Sequence, residues 1–371
     1  MSELNRRHFI AASGLAAAGT LLGADDPVGT GFIGTGNRGS YLLQTVVKEQ
    51  PGAKVVAVCD LKHDRLDKAA TLAARDAPAT FTDYRRLLDR KDVNAVFIAS
   101  PCDLHVEMAI AALKAGKHVY CEKPAGITPQ SIADLVKVAK ASKTVFQAGQ
   151  QMRSNARFAK VAEKLREGVA GKLFMVKAQR HAGDDLDHEG SSAEWFFNAA
   201  RSGDVIVEMA VHNLDLCNWM LDSRPERAAG FGGTLLWKND PPGRTNMDGY
   251  TLSYDYANGA KLSFTQVFFH PDAMPNGGQY VHIYGTEGAV DLMNGTFYPR
   301  VRGAKPVVIA PRQPEPAVEP HIAAFYQAIR GERKPAADIT VAATAALTAI
   351  LGREAIYQKR VTTWKEMGVE I

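Results

Sequence analysis

The chain has 371 residues, 46% hydrophobic and 23% charged, with a formal net charge of +4. That length exceeds one typical core and predicts two domains, and the composition is that of a soluble globular protein. The small net charge, with no basic block or interleaved aromatics, argues against a nucleic-acid partner.

The N-terminus differs in kind from the rest. Asn5-Arg6-Arg7-His8-Phe9-Ile10 precedes an Ala/Gly-rich run from Ala11 to Gly23. A charged region before a short apolar one reads as a signal peptide, and the paired arginines give it a twin-arginine look. The run is too short and too alanine-rich to stay in a bilayer as an anchor. Residues 1–24 are therefore set apart, and a periplasmic or exported location is expected, with a cytoplasmic one as the alternative.

From Pro27 to Gln150 short apolar runs alternate with helical periodicity. The runs are Val28–Ile33, Val55–Cys59, Ala95–Ala99, His118–Cys121 and Val145–Ala148. Between them lie predicted helices over Ser40–Glu49, His63–Arg75, Tyr84–Asp89, His105–Ala115 and Pro129–Ala141. Strands spaced by helices predict an α/β, doubly wound parallel sheet over 25–150. The first strand runs into Gly34-Thr35-Gly36-Asn37-Arg38-Gly39 and the second ends in Asp60. In a G-x-G-x-x-G turn the first glycine permits the bend. The second lets backbone approach a pyrophosphate, and the third lets helix and strand pack closely. The helix that follows offers unpaired N–H groups to phosphate, and Asp60 stands where a carboxylate holds a ribose 2′-hydroxyl. That carboxylate would repel a 2′-phosphate, so NAD is expected over NADP, although Lys62, His63 and Arg65 lie close by. Ligands of such sheets bind beyond the carboxyl ends of the strands. Those ends also carry Ser100-Pro101, Glu122-Lys123-Pro124 and Gln150–Arg153.

Beyond a predicted helix at Asn155–Glu167 the texture changes. Leu173–Arg180, Ala228–Trp237, Tyr250–Tyr256, Ala260–His270 and Tyr280–Tyr284 read as strands, with turn signals at Asn258-Gly259 and Gly285–Gly288. They predict a mostly antiparallel sheet over 151–371, one face on helices and the other free for an interface. Residues 303–320 read as a proline-rich surface loop. Pro320 to Tyr357 reads as helix, broken near Gly331–Pro335. The four cysteines, Cys59, Cys102, Cys121 and Cys217, form no C-x-x-C and read as buried free thiols, with no metal site expected.

Two features carry chemistry. Lys123 follows a strand at the ligand edge, where an ammonium can donate to a substrate hydroxyl or carbonyl. Lys-Pro bonds can be cis, which would fix the lysine's aim in a tight turn. Asp204 to Leu221 reads as one helix with Glu208, His212, Asp215 and Trp219 at i, i+4, i+7 and i+11, a polar stripe on an otherwise apolar element. A histidine there suits the transfer of a hydroxyl proton, with Glu208 to orient it. A metal pair and a satisfied core histidine are the alternatives.

Together these residues resemble the glucose–fructose oxidoreductase / inositol dehydrogenase / MocA (Gfo/Idh/MocA) family, from about Val28 to Trp364. The resemblance implies an N-terminal Rossmann domain and a C-terminal domain whose open, mostly antiparallel sheet often forms a homo-oligomer interface, dimer or tetramer. It implies catalytic roles for Lys123 and His212, with Glu208 standing where many members have aspartate. It places the cofactor on Gly34, Gly36, Asn37, Arg38, Gly39, Asp60, Ser100, Pro101, His105, Glu122, Lys123 and Gln151. Arg153, Arg180, Trp195 and Asp215 become substrate candidates, His181 beside Arg180 a weaker one. The implied activity is NAD-dependent oxidation of a secondary hydroxyl of a sugar, polyol or glycoside. The family also contains enzymes that keep NAD tightly bound and cleave glycosides through a 3-keto sugar without net redox change. A sugar sensor without turnover is a third reading.

Overall fold

The computed structural model describes residues 26–181, 193–271, 273–274, 277–314, 316 and 318–371. The arginine pair and its apolar run lie outside them.

The first sheet is parallel and six-stranded: β1 (Val28–Ile33), β2 (Ala53–Cys59), β3 (Ala79–Phe81), β4 (Ala95–Ile98), β5 (His118–Cys121) and β6 (Phe146–Ala148). Its order is β3-β2-β1-β4-β5-β6, the doubly wound arrangement whose switch point lies between β1 and β4. The helices α1 (Asn37–Glu49), α2 (His63–Leu72), α3 (Tyr84–Leu88), α4 (His105–Lys114) and α5 (Pro129–Ala141) connect these strands, and α6 (Ala156–Arg166) follows. Helix α1 starts at Asn37, earlier than its apolar pattern suggests, because Gly36 occupies the cap. β3, with three residues, is too short to carry a periodicity signal.

The second sheet begins with β7 (Leu173–His181). Among the described residues four helices intervene: α7 (Ala193–Phe196), α8 (Ala199–Ser202), α9 (Val205–Glu208) and α10 (Val211–Leu221). Then come β8 (Pro225–Gly233), β9 (Gly249–Tyr256), β10 (Lys261–Val267), β11 (Gln279–Gly285), β12 (Gly288–Asp291), β13 (Thr296–Pro299) and β14 (Val307–Val308). After α11 (Pro320–Ile329) and α12 (Ile339–Tyr357), β15 (Thr362–Thr363) completes a nine-stranded sheet of order β14-β13-β12-β11-β7-β10-β9-β8-β15. Among the described residues of this sheet only β7 and β10 pair in parallel. The strand expected over Ala228–Trp237 ends at Gly233, because the N–H groups of Leu235, Leu236 and Trp237 turn onto the Asp248 carboxylate (2.7, 3.2 and 2.8 Å). The four short strands β12–β15 lie where no strand is legible in the sequence.

The chain crosses back before it ends. α11 lies far along the sequence, yet Ile322, Phe325 and Tyr326 pack into the core of the first sheet. Phe97 stacks on Phe32 and Tyr120 (centroids 4.9 and 4.7 Å), and Phe325 meets Phe97 edge-on at 5.4 Å. Burying each such ring contributes about 1.5–3 kcal/mol. The Tyr326 hydroxyl, 3.0 Å from Thr30 Oγ1, finds the polar partner that its burial requires. α12 is long and apolar enough to cross a membrane, but 72% of that stretch is buried against α5, α9, α10 and β8, which makes it a core helix.

Candidate active site

The carboxyl edge of the first sheet is shaped by its glycines. Gly34 has φ +83°, and a Cβ there would lie 2.7 Å from the Ala99 carbonyl oxygen. A Cβ on Gly39 would lie 1.9 Å from the Gly34 carbonyl oxygen, so helix and strand meet at backbone distance. Gly36 caps α1 with no side-chain bond to the helix, and no acid stands in the first turn. The free N–H groups and the positive end of the helix dipole therefore face outward uncompensated, as an anion requires. Around a Cβ on Gly36 only the Arg65 guanidinium comes within 4 Å, at 3.3 Å.

Asp60 ends β2 and is 8% exposed. Its carboxylate accepts the N–H groups of Thr35 (2.7 Å) and Lys62 (3.0 Å), which fixes it against the glycine turn. Arg65 Nη1 stands 4.0 Å away. Glu122, at the end of β5, accepts from Arg38 Nε at 2.7 Å and packs on Gly149, whose Cβ it would clash with at 2.7 Å. Asn37 is the first residue of α1. Gln150 and Gln151 follow β6, and each has a buried amide oxygen with no partner among the described residues. An uncapped helix end, an anchored acid beside it and orphan amide oxygens farther along the same edge fit a dinucleotide that ends in a carboxamide.

His105 is placed differently from the expectation. Its ring nitrogens lie 2.8 Å from the Pro124 carbonyl oxygen and 2.9 Å from that of Ser100. Both partners are acceptors, so a neutral ring donates to only one, and burial pulls the histidine's pKa down. His105 thus braces the Ser100-Pro101 and Lys123-Pro124 turns and keeps neither nitrogen for a ligand. The Lys123–Pro124 peptide is cis.

The stretch expected to be one helix is two. Asp204, at φ 75°, caps α9 and is held by the hydroxyls of Tyr250 and Tyr357 and the N–H of Met247. The chain turns at Met209-Ala210 before α10. An unbroken helix would give the Glu208 carbonyl to the His212 N–H; here it accepts Lys123 Nζ at 2.8 Å. The Glu208 carboxylate pairs with the same ammonium. Glu208 therefore holds Lys123 rather than orienting His212. His212 is 6% exposed, and its Nδ1 is buried with no partner among the described residues. Burial first, then the positive charges of Lys123 and Arg180, hold its pKa well below the usual histidine value. At neutral pH it is an uncharged base.

The other polar positions of α10 have partners too. Asp215 accepts a fork from Arg153, Nε at 2.9 Å and Nη2 at 2.8 Å, and the guanidinium lies over Trp219, 5.0 Å from the ring centroid. This pair binds the turn after β6 to α10, so both expected substrate residues are engaged with each other. Arg180, at the end of β7, donates from Nη1 to Asn213 Oδ1 (3.2 Å) and Gln279 Oε1 (3.0 Å). His181 contacts Thr265 Oγ1 at 3.1 Å. Trp195 packs on Phe196 in α7, and Glu194 of that helix meets Lys62 at 3.1 Å, which ties α7 to the Asp60 end of the edge. Lys123, Glu208, His212 and Arg180 gather at the other end.

Sequence reasoning passed over the capping role of Asp204, and passed over Gln266 and His321 altogether. His321 contacts Ala148 O and Ser154 Oγ (2.8 and 2.9 Å) and so locks α11 to the turn that carries Gln151 and Arg153. Only tertiary packing brings it there, so no local signal marked it. Among the described residues no cluster of three His, Cys, Asp or Glu side chains is arranged for a metal.

Two family models match the chain: the oxidoreductase family, NAD-binding Rossmann fold, over residues 28–150, and the GFO/IDH/MocA C-terminal domain over residues 158–291. A 2,7-anhydro-N-acetylneuraminate hydratase from Mediterraneibacter gnavus is 28% identical over 71% of this chain and 67% of its own. A glycosyl hydrolase family 109 protein from Stenotrophomonas maltophilia is 34% identical over 48% of this chain and 42% of its own. Inositol 2-dehydrogenase from Salmonella typhimurium is 28% identical over 52% of this chain and 54% of its own. For the last two, the match thus spans about half or less of the relative's length. Among solved structures, an oxidoreductase domain protein from Kribbella flavida superposes with a TM-score of 0.78 at 21% identity, covering 91% of this chain and 99% of that one. A levoglucosan dehydrogenase in complex with NADH and levoglucosan gives 0.76 at 19% identity, with 91% and 99% coverage. At these identities the structures speak for the fold.

Proposed function

This chain belongs to the GFO/IDH/MocA family of NAD-binding oxidoreductases, and we propose that it oxidises a secondary hydroxyl of a sugar, polyol or glycoside. One observation carries the reading. A buried, uncharged histidine stands beside a carboxylate-held lysine at the ligand edge of an NAD-binding sheet. An ammonium has three N–H donors, and Glu208 takes two of them. The third is left for the substrate oxygen. His212, neutral and with Nδ1 sealed in protein, takes the hydroxyl proton at Nε2. Gly34–Gly39, Asp60 and the Gln151 region would hold the nicotinamide dinucleotide, which when bound accepts a hydride from the carbon that bears the hydroxyl. The wall of Asp215–Arg153 keeps α10, and so His212, in register with the turn after β6.

Asp60 supports NAD over NADP, because its carboxylate faces the turn where a 2′-phosphate would lie. The second sheet packs on α10 and α12 through one face, and its other face carries the stacked Tyr280 and His282 (4.6 Å) and the 84% exposed Phe231. That supports a homo-oligomer through the sheet. The arginine pair before the first domain supports export.

The test is to mix the protein with NAD and a panel of polyols and sugars and follow reduced-nicotinamide absorbance. Growth of that band in wild type, lost in Lys123→Ala and His212→Ala, is the expected result. No change with any member, with NADH bound normally, would remove the net dehydrogenase reading. A second reading rests on the likeness to a hydratase and to a glycosyl hydrolase. In it the same residues open and close a redox cycle around cleavage of a glycoside, and product forms with no net absorbance change.

A further inference from the structure

Four cations belong to or adjoin the Lys123–His212 site, and three have acids of their own. Arg38 has Glu122 at 2.7 Å, Arg153 has Asp215 at 2.8 Å, and Lys123 has Glu208. Arg180 is the exception. Among the described residues no carboxylate comes within ion-pair reach of it; its two hydrogen bonds go to the neutral amides of Asn213 and Gln279. Its Nε is buried with no partner among the described residues. A guanidinium drawn partly out of water without a counter-charge is costly, and folds that keep one have a reason to. Glu208, the nearest acid felt by Arg180, is committed to Lys123.

The neighbouring strand repeats the anomaly. Gln266 of β10 is the ladder partner of Arg180 on β7, so the two side chains stand on one face of the sheet. Gln266 is 2% exposed, and neither its amide nitrogen nor its amide oxygen has a partner among the described residues. His270, just beyond β10, has an orphan Nε2 as well, and its ring lies 5.8 Å from that of His181. Two adjacent strands thus end in unused donors of the kind that recognise an acceptor with a negative charge, one of them a fork that matches a carboxylate. Neutral hydroxyl groups would satisfy the donors but leave the charge of Arg180 uncompensated.

We propose that the substrate carries a carboxylate, as a uronic or other sugar acid does, and that Arg180 and Gln266 bind it. The inference rests on the carbohydrate reading of this site and narrows it. A sugar with its carboxylate on Arg180 has its ring hydroxyls within reach of Lys123 and His212, since Arg180 bonds Asn213, the residue next to His212 on α10.

The experiment is calorimetric titration of the full-length protein, saturated with NADH, with D-glucuronate, D-galacturonate and D-mannuronate and with the three matching neutral hexoses. At least one uronate should bind about tenfold or more tightly than its neutral counterpart, the usual worth of a charge-assisted fork. Arg180→Gln should erase that difference and leave NADH affinity unchanged; Arg180→Lys should keep part of it. Equal or tighter binding of the neutral sugars, no binding of any of the six, or an undiminished preference in Arg180→Gln would overturn the proposal. The failure of the dehydrogenase reading looks different. A uronate bound through Arg180 but never oxidised when NAD replaces NADH would remove that reading and leave the carboxylate site standing. A neutral hexose oxidised without preference would do the reverse.

Discussion

Replacing Asp215 with alanine leaves Arg153 as a buried cation with no acid. The side chains are 2% and 15% exposed, so water replaces little of what is lost. The fork is two charge-assisted hydrogen bonds at 2.9 and 2.8 Å. At about 1.5–3 kcal/mol each, they give a gross worth of about 3–6 kcal/mol. Removal of one partner of a buried pair costs about 3–5 kcal/mol, mostly for stranding the other charge. We therefore expect Asp215→Ala to destabilise by about 3–5 kcal/mol, a loss of two to three decades or more in the folding equilibrium at about 1.4 kcal/mol per decade. The double variant Arg153→Met/Asp215→Leu removes both charges and restores apolar contact with Trp219, so it should cost less than Asp215→Ala alone. Urea unfolding followed by tryptophan fluorescence suits the test, because Trp219 lies under the guanidinium. A loss below about 1 kcal/mol in Asp215→Ala, or a double variant as unstable as the sum of the singles, would refute the reasoning and return Arg153 to the substrate.

Lys123→Ala and His212→Ala should each lower kcat/KM at least about 10²-fold with NADH affinity retained; activity close to wild type in both would reject their roles. His212 must be neutral to accept a proton and its pKa is depressed, so the acid limb of kcat/KM should fall below pH 6.5, and a limb above neutrality would contradict the assignment. His118 and His321 have folded pKa values near 4, below their unfolded value of 6.5, so the unfolded chain takes up protons first. Stability should therefore be full above pH 6.5 and decline as the pH falls from there toward 4, with His321 contributing on the order of 3 kcal/mol. His321→Asn should flatten that decline in a series of urea midpoints. In Gly39→Ala the new methyl would meet the Gly34 carbonyl at 1.9 Å, so NADH titration should show affinity lost, and wild-type affinity would mean that the turn is not the phosphate site.

The first sheet was legible because each strand is an apolar run bounded by turn residues, and the glycine turn with Asp60 specifies the ligand edge. The second sheet was legible in its five long strands. Its parallel pair, β7 with β10, and its two- to four-residue strands were not, since short pairings and strand order depend on contacts distant in sequence. Residue types at the site were visible, but their partners were not. Spacing on a helix suggested Glu208 for His212, whereas the helix breaks after Glu208 and Lys123, 85 residues earlier, claims the carboxylate. His105 reads as a ligand residue until its two carbonyl partners are seen. Gln266 carries no motif at all; only its ladder position beside Arg180 marks it.

The central claim is that Lys123 and His212 drive oxidation of a sugar carbon against a bound nicotinamide. Its most direct test is to give the protein NAD and sugars deuterated at their ring carbons, quench early, and weigh the nicotinamide. Deuterium on the cofactor in wild type and none in His212→Ala is the predicted result, for net and self-cancelling redox alike. Product formed with an unlabelled cofactor, or label appearing equally in both proteins, would contradict the account.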